Sequence, residues 1–152
     1  MMASCEVVKV TRRDADLAAV FLEHGRDYMH DIPADRREKF LQNMLDRQEE
    51  PDRWLLLFKE KDDYIGFSHL KIDRELRDGW GWIMEFYIRP EYRRKGKGTR
   101  FYRMCERILR ENDVSGIWLT TNPEAKQFWC SLGFTATGER ADFNDREIME
   151  KR

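Results

Sequence analysis

Apolar positions recur along the chain with two different periods, and the changeovers divide it into strands and helices. Residues 5–11, CEVVKVT, alternate closely enough for a first strand. Asp14 or Asp16 can cap the helix that follows. Its apolar stripe holds Leu17, Val20, Phe21, His24 and Tyr28, while Glu23, Arg26 and Asp27 fall off the stripe. A second helix is expected from Pro33 to Glu50, with Phe40, Leu41, Met44 and Leu45 on its apolar face and Pro51 ending it. RWLLLFK, residues 53–59, is almost continuously apolar, as a strand buried on both faces should be. Lys61-Asp62-Asp63 makes a turn, and YIGFSHLKI, residues 64–72, is the antiparallel partner.

The stretch from Trp80 to Arg107 is the most informative. Trp82 to Ile88 reads as a buried aromatic strand with one interior carboxylate, Glu85, and Pro90 stops it. A basic glycine loop follows, and then Phe101, Met104, Cys105, Ile108 and Leu109 at helical spacing. Asn112-Asp113 and Gly116 interrupt the pattern before another strand, IWLTT, at residues 117–121. Asn122-Pro123-Glu124 opens a helix with Ala125, Phe128, Trp129 and Leu132 facing inward, ended by Gly133. Phe134 to Thr137 and Ile148 to Glu150 are the expected last strands, joined by a turn near Asn144-Asp145. With no linker or repeat, residues 1–152 are expected to form one domain.

Charge sharpens this picture at one place. Between Arg89 and Arg103 there are seven basic residues against the single acid Glu91, in a chain whose net charge is −1. The first N–H groups of a helix lack internal partners and carry the positive end of the dipole, so an anion fits there. Gly96 and Gly98 allow close approach to the backbone. A P-loop requires Lys and then Ser or Thr after its last glycine, whereas Thr99 and Arg100 follow Gly98; no third glycine completes a dinucleotide fingerprint. The balance of 28 basic and 29 acidic residues argues against a nucleic-acid binder. Three cysteines without a C-x-x-C pair, with three histidines, indicate neither a disulfide framework nor a metal site. No apolar run approaches the ~20 residues of a membrane span. The opening MMASCEVVKV lacks a signal-peptide pattern, so cytoplasmic residence is expected.

The R-x-x-G-x-G pattern at Arg93, Gly96 and Gly98, behind a strand ending Ile88-Arg89-Pro90, resembles the GNAT superfamily of acyl-CoA-dependent N-acetyltransferases. So does the run from Asn122 to Phe134, NPEAKQFWCSLGF, and the order of elements matches over nearly the whole chain. The resemblance implies an α/β (α+β) GNAT fold: a mixed, mostly antiparallel sheet of six to seven strands flanked by about four helices. Two parallel central strands, 82–88 and 117–121, would splay apart in a V. It implies acetyl-CoA as cosubstrate and no metal. Main-chain groups of Phe86 and Ile88 would pair with pantetheine, with Asn122 and Phe128 beside that arm. Arg93, Arg94, Lys95, Gly96, Lys97, Gly98 and Thr99 would cradle the pyrophosphate.

The implied reaction is transfer of an acetyl group to a primary amine of a small molecule or peptide by direct attack. Glu85 is the candidate general base, being the one carboxylate in the strand that lines the cleft; burial would raise its pKa. A Glu85 paired with a nearby Lys or Arg is the alternative. Alternation sets Glu85 and Tyr87 on one face of the strand, Phe86 and Ile88 on the other. Many family members carry a Tyr four residues before the helix-ending glycine to protonate the departing thiolate. Here Trp129 stands there, and an indole has no useful acidity. Tyr87, Tyr102 and Cys130 are the possible substitutes. His24 and Tyr28 read either as stripe residues or as part of an acceptor pocket, and His69 as structural. Two other functions stay open, a non-catalytic acyl-CoA-binding or sensing module and a protein N-terminal or lysine acetyltransferase. The expected state is a monomer or homodimer without nucleic-acid or membrane partners.

Overall fold

The structure is a computed structural model that describes residues 4–152; the leader reading at residues 1–3 lies outside it. Seven strands form one sheet in the order β1-β2-β3-β4-β5-β7-β6. They are β1 (Cys5–Lys9), β2 (Arg53–Glu60), β3 (Asp63–Asp73), β4 (Trp80–Ile88), β5 (Ile117–Thr121), β6 (Thr135–Arg140) and β7 (Glu147–Lys151). Every neighbouring pair is antiparallel except β4 and β5, which run parallel. Four helices flank the sheet: α1 (Ala15–Tyr28), α2 (Ala34–Asp46), α3 (Lys97–Arg110) and α4 (Lys126–Ser131). Seven strands, four helices and the parallel central pair match the fold expected from the sequence.

Binary patterning explains the layering. In β2, Leu55 and Leu57 pack with Phe21 of α1, Leu41 of α2 and Phe67 of β3, whereas Leu56 and Phe58 pack with Phe101, Cys105 and Leu109 of α3. Both faces of this strand are covered, which is why it is apolar without alternation. Asp14 caps α1 by accepting from the Leu17 N–H at 3.1 Å.

Two expectations shift at α2. The helix ends at Asp46 and a single 3-10 turn, Arg47–Glu49, replaces the expected last turn. Phe40 is 51% exposed, while Leu41, Met44 and Leu45 are buried. It sits at the edge of the stripe, turned away from the core and toward the cleft described below. The helix expected from Asn122 also starts later, at Lys126, because residues 123–125 form a turn that the Asn122 side chain closes.

The sheet opens at its parallel pair. β4 and β5 are in register only at Gly81 with Ile117 and Trp82 with Trp118. The register between β3 and β4 slips between His69, opposite Glu85, and Leu70, opposite Ile83, so that Met84 is the extra residue of a bulge. The bulge bends β4 away from β5, and Phe86, Phe128 and Trp129 fill the base of the wedge with ring centroids 4.9–5.9 Å apart. Gly66 supports the bend from β3. A Cβ there would stand 2.0 Å from the Tyr87 carbonyl oxygen, which backbone must move to relieve. Gly66→Ala is expected to cost about 2–4 kcal/mol of stability, measured by chemical denaturation; a loss below about 0.5 kcal/mol would show that the close approach is not constrained.

Candidate functional site

The wedge opens into a cleft of about 1120 Å³ that runs from Glu85 along β4 to the start of α3. Main-chain direction decides what β4 offers to it. The Arg89 N–H donates to the Ile65 carbonyl at 2.8 Å, and the Glu85 carbonyl accepts from the Ser68 hydroxyl at 2.7 Å, so these residues direct their main-chain groups toward β3. The alternating residues, Phe86 and Ile88, direct theirs into the gap. The bulge matters here, because Gly81, whose N–H donates across to the Gly116 carbonyl at 2.8 Å, would otherwise be in phase with Glu85 rather than Phe86. Unpaired main-chain groups inside a folded domain are costly, and this edge is made to receive a ligand strand-fashion.

At the far end, the loop before α3 turns through two left-handed residues, Arg94 (φ 62°) and Gly96 (φ 76°). Consecutive N–H groups then point to one side. Those of Arg94, Lys95, Gly96, Lys97, Gly98 and Thr99 donate to no protein acceptor among the described residues. Gly98 lets the backbone lie against the Phe128 ring, from which a Cβ would be 3.2 Å away. Six free donors at the positive end of a fourteen-residue helix form a concave anion site.

The loop's side chains divide between this site and the scaffold. Arg94 lines the cleft. Arg93 also lines it, but its Nε donates to the Ile88 carbonyl at 2.7 Å and its guanidinium stacks over Tyr87, so it also locks the end of β4. Lys97 turns away to pair with Glu60 of β2, so only its backbone faces an anion. Lys95 is exposed and off the cleft wall. Asn122 lines the cleft while its Oδ1 accepts from the Ala125 N–H at 2.8 Å, which leaves the amide nitrogen toward the ligand space. Phe128 and Trp129 form the adjoining wall.

Glu85 lies at the closed end, in direct register with His69 on β3. Burial pushes its pKa from the ordinary value near 4.5 up to about 7, against the smaller opposing effects of the Tyr28 hydroxyl and the Arg146 guanidinium. Tyr28 itself is pushed well above the usual phenol range, by burial first and the Glu85 charge second. The folded protein therefore keeps the Glu85 proton up to about pH 7, whereas the unfolded chain releases it near 4.5. Stability contributed by that proton is present below pH 4.5 and is lost as pH rises to 7, up to about 3 kcal/mol in all. Unfolding measured across that window should show this decline in the wild type and not in Glu85→Gln; parallel curves would place Glu85 in a water-like environment.

The other titratable candidates separate clearly. Tyr87 lines the cleft, its pKa raised by burial and its ring in the α1–α2 core. Tyr102 is buried on the inner face of α3, off the cleft, and Cys130 is exposed on the outer side of α4. His24 is buried against Tyr87 with its pKa lowered, and does not reach the cleft. His69 is buried, its Nε2 accepting from Arg53 at 3.2 Å, and burial brings its pKa down to about 3, which makes it a neutral structural residue. Tyr28 is the stripe residue that does reach the site. Sequence reasoning missed Arg146 and Asn144, which line the cleft from the connection between β6 and β7, Arg146 near enough to act on the Glu85 charge. No local pattern marks either residue. Among the described residues no cluster of His, Cys, Asp or Glu could hold a metal ion, and no helix is long and apolar enough to cross a membrane.

A sheet split at its parallel pair, with an anion-receiving loop at the mouth of the split, defines an α/β enzyme of the acyltransferase class. The family model described as the acetyltransferase (GNAT) family matches residues 17–134, and the chain belongs to that family. No curated protein sequence matches significantly. Among solved structures, the chain is similar to the PaiA N-acetyltransferase of Thermoplasma acidophilum in complex with coenzyme A. Identity is 23%, with 98% of this chain and 99% of that one covered and a TM-score of 0.70. An aminoglycoside 6′-N-acetyltransferase complexed with coenzyme A is 14% identical over 96% of each chain, with a TM-score of 0.76. A GNAT-family acetyltransferase of Staphylococcus aureus Mu50 is 15% identical over 97% and 98%, with a TM-score of 0.71. At these identities the likeness is one of fold.

Proposed function

We propose that the protein transfers an acetyl group from acetyl-CoA to a primary amine of a small molecule or peptide by direct attack. The observation that carries this reading is the unpaired edge of β4 lying in one cleft with the six free amides of Arg94–Thr99. The coenzyme A bound by two of the structural relatives supports the same donor here.

The diphosphate lies on the amides at the start of α3, with Arg94 beside it. Pantetheine follows the gap, donating to the Phe86 carbonyl and accepting from the Ile88 N–H, while Asn122 and Phe128 hold its other side. The thioester then reaches the level of Glu85. With a pKa of about 7, Glu85 is half ionised at neutral pH and takes a proton from the incoming ammonium, directly or through water. The neutral amine adds to the acetyl carbon, and the Phe86 N–H stabilises the developing oxyanion. Collapse of the tetrahedral intermediate breaks the C–S bond, and the nitrogen gives up its second proton to water in the cleft to leave the neutral amide. The thiolate leaves as such and takes its proton from water in the open cleft, since Trp129 cannot supply one.

Incubation with acetyl-CoA and a broad panel of primary amines, followed by a free-thiol assay, tests the reading. Amine-dependent thiol release is the expected result. Tight coenzyme A binding with no amine-dependent release from any member of the panel would contradict transfer.

A further inference from the structure

The end of the cleft around Glu85 contains an exposed cation that forms no ion pair among the described residues. Arg146 lines the cleft together with Glu85, Tyr28 and Asn144. It is held there by a firmly tied connection between β6 and β7. The Asn144 amide donates to the Thr120 hydroxyl on β5 at 2.9 Å, and Asn144 Oδ1 accepts from the Arg146 N–H at 3.1 Å. The Ala141 N–H donates to the Arg146 carbonyl at 2.9 Å, and the Asp145 N–H to the Ala141 carbonyl at 2.8 Å. Neighbouring charges are satisfied locally: Arg140 pairs with Asp145, and Lys126 with Glu147. Arg146 is in no ion pair among the described residues.

A guanidinium carried on a hydrogen-bonded turn and open to the cleft near a base is suited to an anion that arrives with a ligand. The donor's diphosphate lies beyond Ile88 at the opposite end of the unpaired edge, so this anion belongs to the other substrate. We propose that Arg146 receives a carboxylate of the acceptor, and that the acceptor class is free amino acids, which carry a primary amine and a carboxylate in one small molecule. This rests on the transfer reading above. The charge on the other side of the cleft agrees with it. Asp27 and Asp31, at the end of α1 and just beyond, line the same space, are exposed, and form no ion pair among the described residues; Arg89 and Glu91 pair with each other at 2.9 Å. Acids on the α1 side suit the ammonium group as it enters, and Arg146 suits the carboxylate. Arg146 also offsets the repulsion that a substrate carboxylate would exert on an ionised Glu85.

The test compares kcat/KM for amino acids, for their amides and for the corresponding decarboxylated amines. The comparison is made at pH 9, well above the value of about 7 for Glu85, so that a modest rise in that value on loss of Arg146 has little effect. The wild type is expected to favour at least one amino acid over its amide and its decarboxylated amine by about 10- to 100-fold, mainly through KM. Arg146→Gln should bring that ratio close to one, and Arg146→Lys should keep part of it. A ratio near one in the wild type, or one unchanged in Arg146→Gln, would overturn the inference while leaving the transfer reading intact. If acetyl-CoA binds and no amine of any kind releases thiol, the transfer reading fails and the inference with it.

Discussion

Glu85→Gln is expected to lower kcat by about 100-fold or more at pH 8 while leaving coenzyme A affinity within twofold of the wild type. Gln keeps the shape of the side chain, but it cannot take a proton from the attacking amine. The pH dependence separates this role from a structural one. In the wild type the rate should rise with pH through about 7, where the Glu85 carboxyl ionises, and that inflection should vanish in the variant. Stability moves the other way. A half-buried carboxylate is costly once ionised, so above pH 7 the Gln variant should be at least as stable as the wild type. Loss of activity without loss of stability identifies a residue kept for chemistry. A variant with wild-type turnover and an unchanged pH profile would remove Glu85 from the mechanism.

The second large effect is expected at Gly98. Gly98→Val should weaken coenzyme A binding by about 100-fold or more, with a change in folding stability of no more than about 1 kcal/mol. Gly98 lies in the first turn of α3 without a left-handed backbone, so the helix tolerates a side chain there. A Cβ would meet the Phe128 ring at 3.2 Å, a contact that a small ring movement relieves. The methyl groups, however, would cover the free amides that the diphosphate must reach. Calorimetric titration with coenzyme A measures the first quantity and denaturant unfolding the second. A folded Gly98→Val protein with wild-type affinity would place the diphosphate elsewhere.

Much of this site is legible in the sequence because it is built from contiguous residues. The glycine loop, the strand before it and the helix after it carry their geometry locally, and so does the Asn122 cap. What the sequence hides is what depends on a partner. Trp82 to Ile88 reads as an uninterrupted strand, and only the register against β3 shows the Met84 bulge that parts β4 from β5. Arg93 and Lys97 look like uniform members of a basic loop, yet one is engaged by the Ile88 carbonyl and the other by Glu60. Phe40 fits an apolar stripe on paper, but α2 rotates it out of the core and onto the cleft wall. Arg146 is a single arginine in a charged turn, and its proximity to Glu85 arises only when β7 inserts between β5 and β6.

The central claim is that the amides before α3 hold a diphosphate while the parted strands receive the pantetheine arm. It is tested most directly by following the backbone amide resonances of the labelled protein during titration with coenzyme A. The amides of Arg94 to Thr99 should shift together with those of Phe86 and Ile88, all saturating along one binding curve. Saturation of the protein with these resonances unmoved, and the shifts gathered on another surface, would contradict the account.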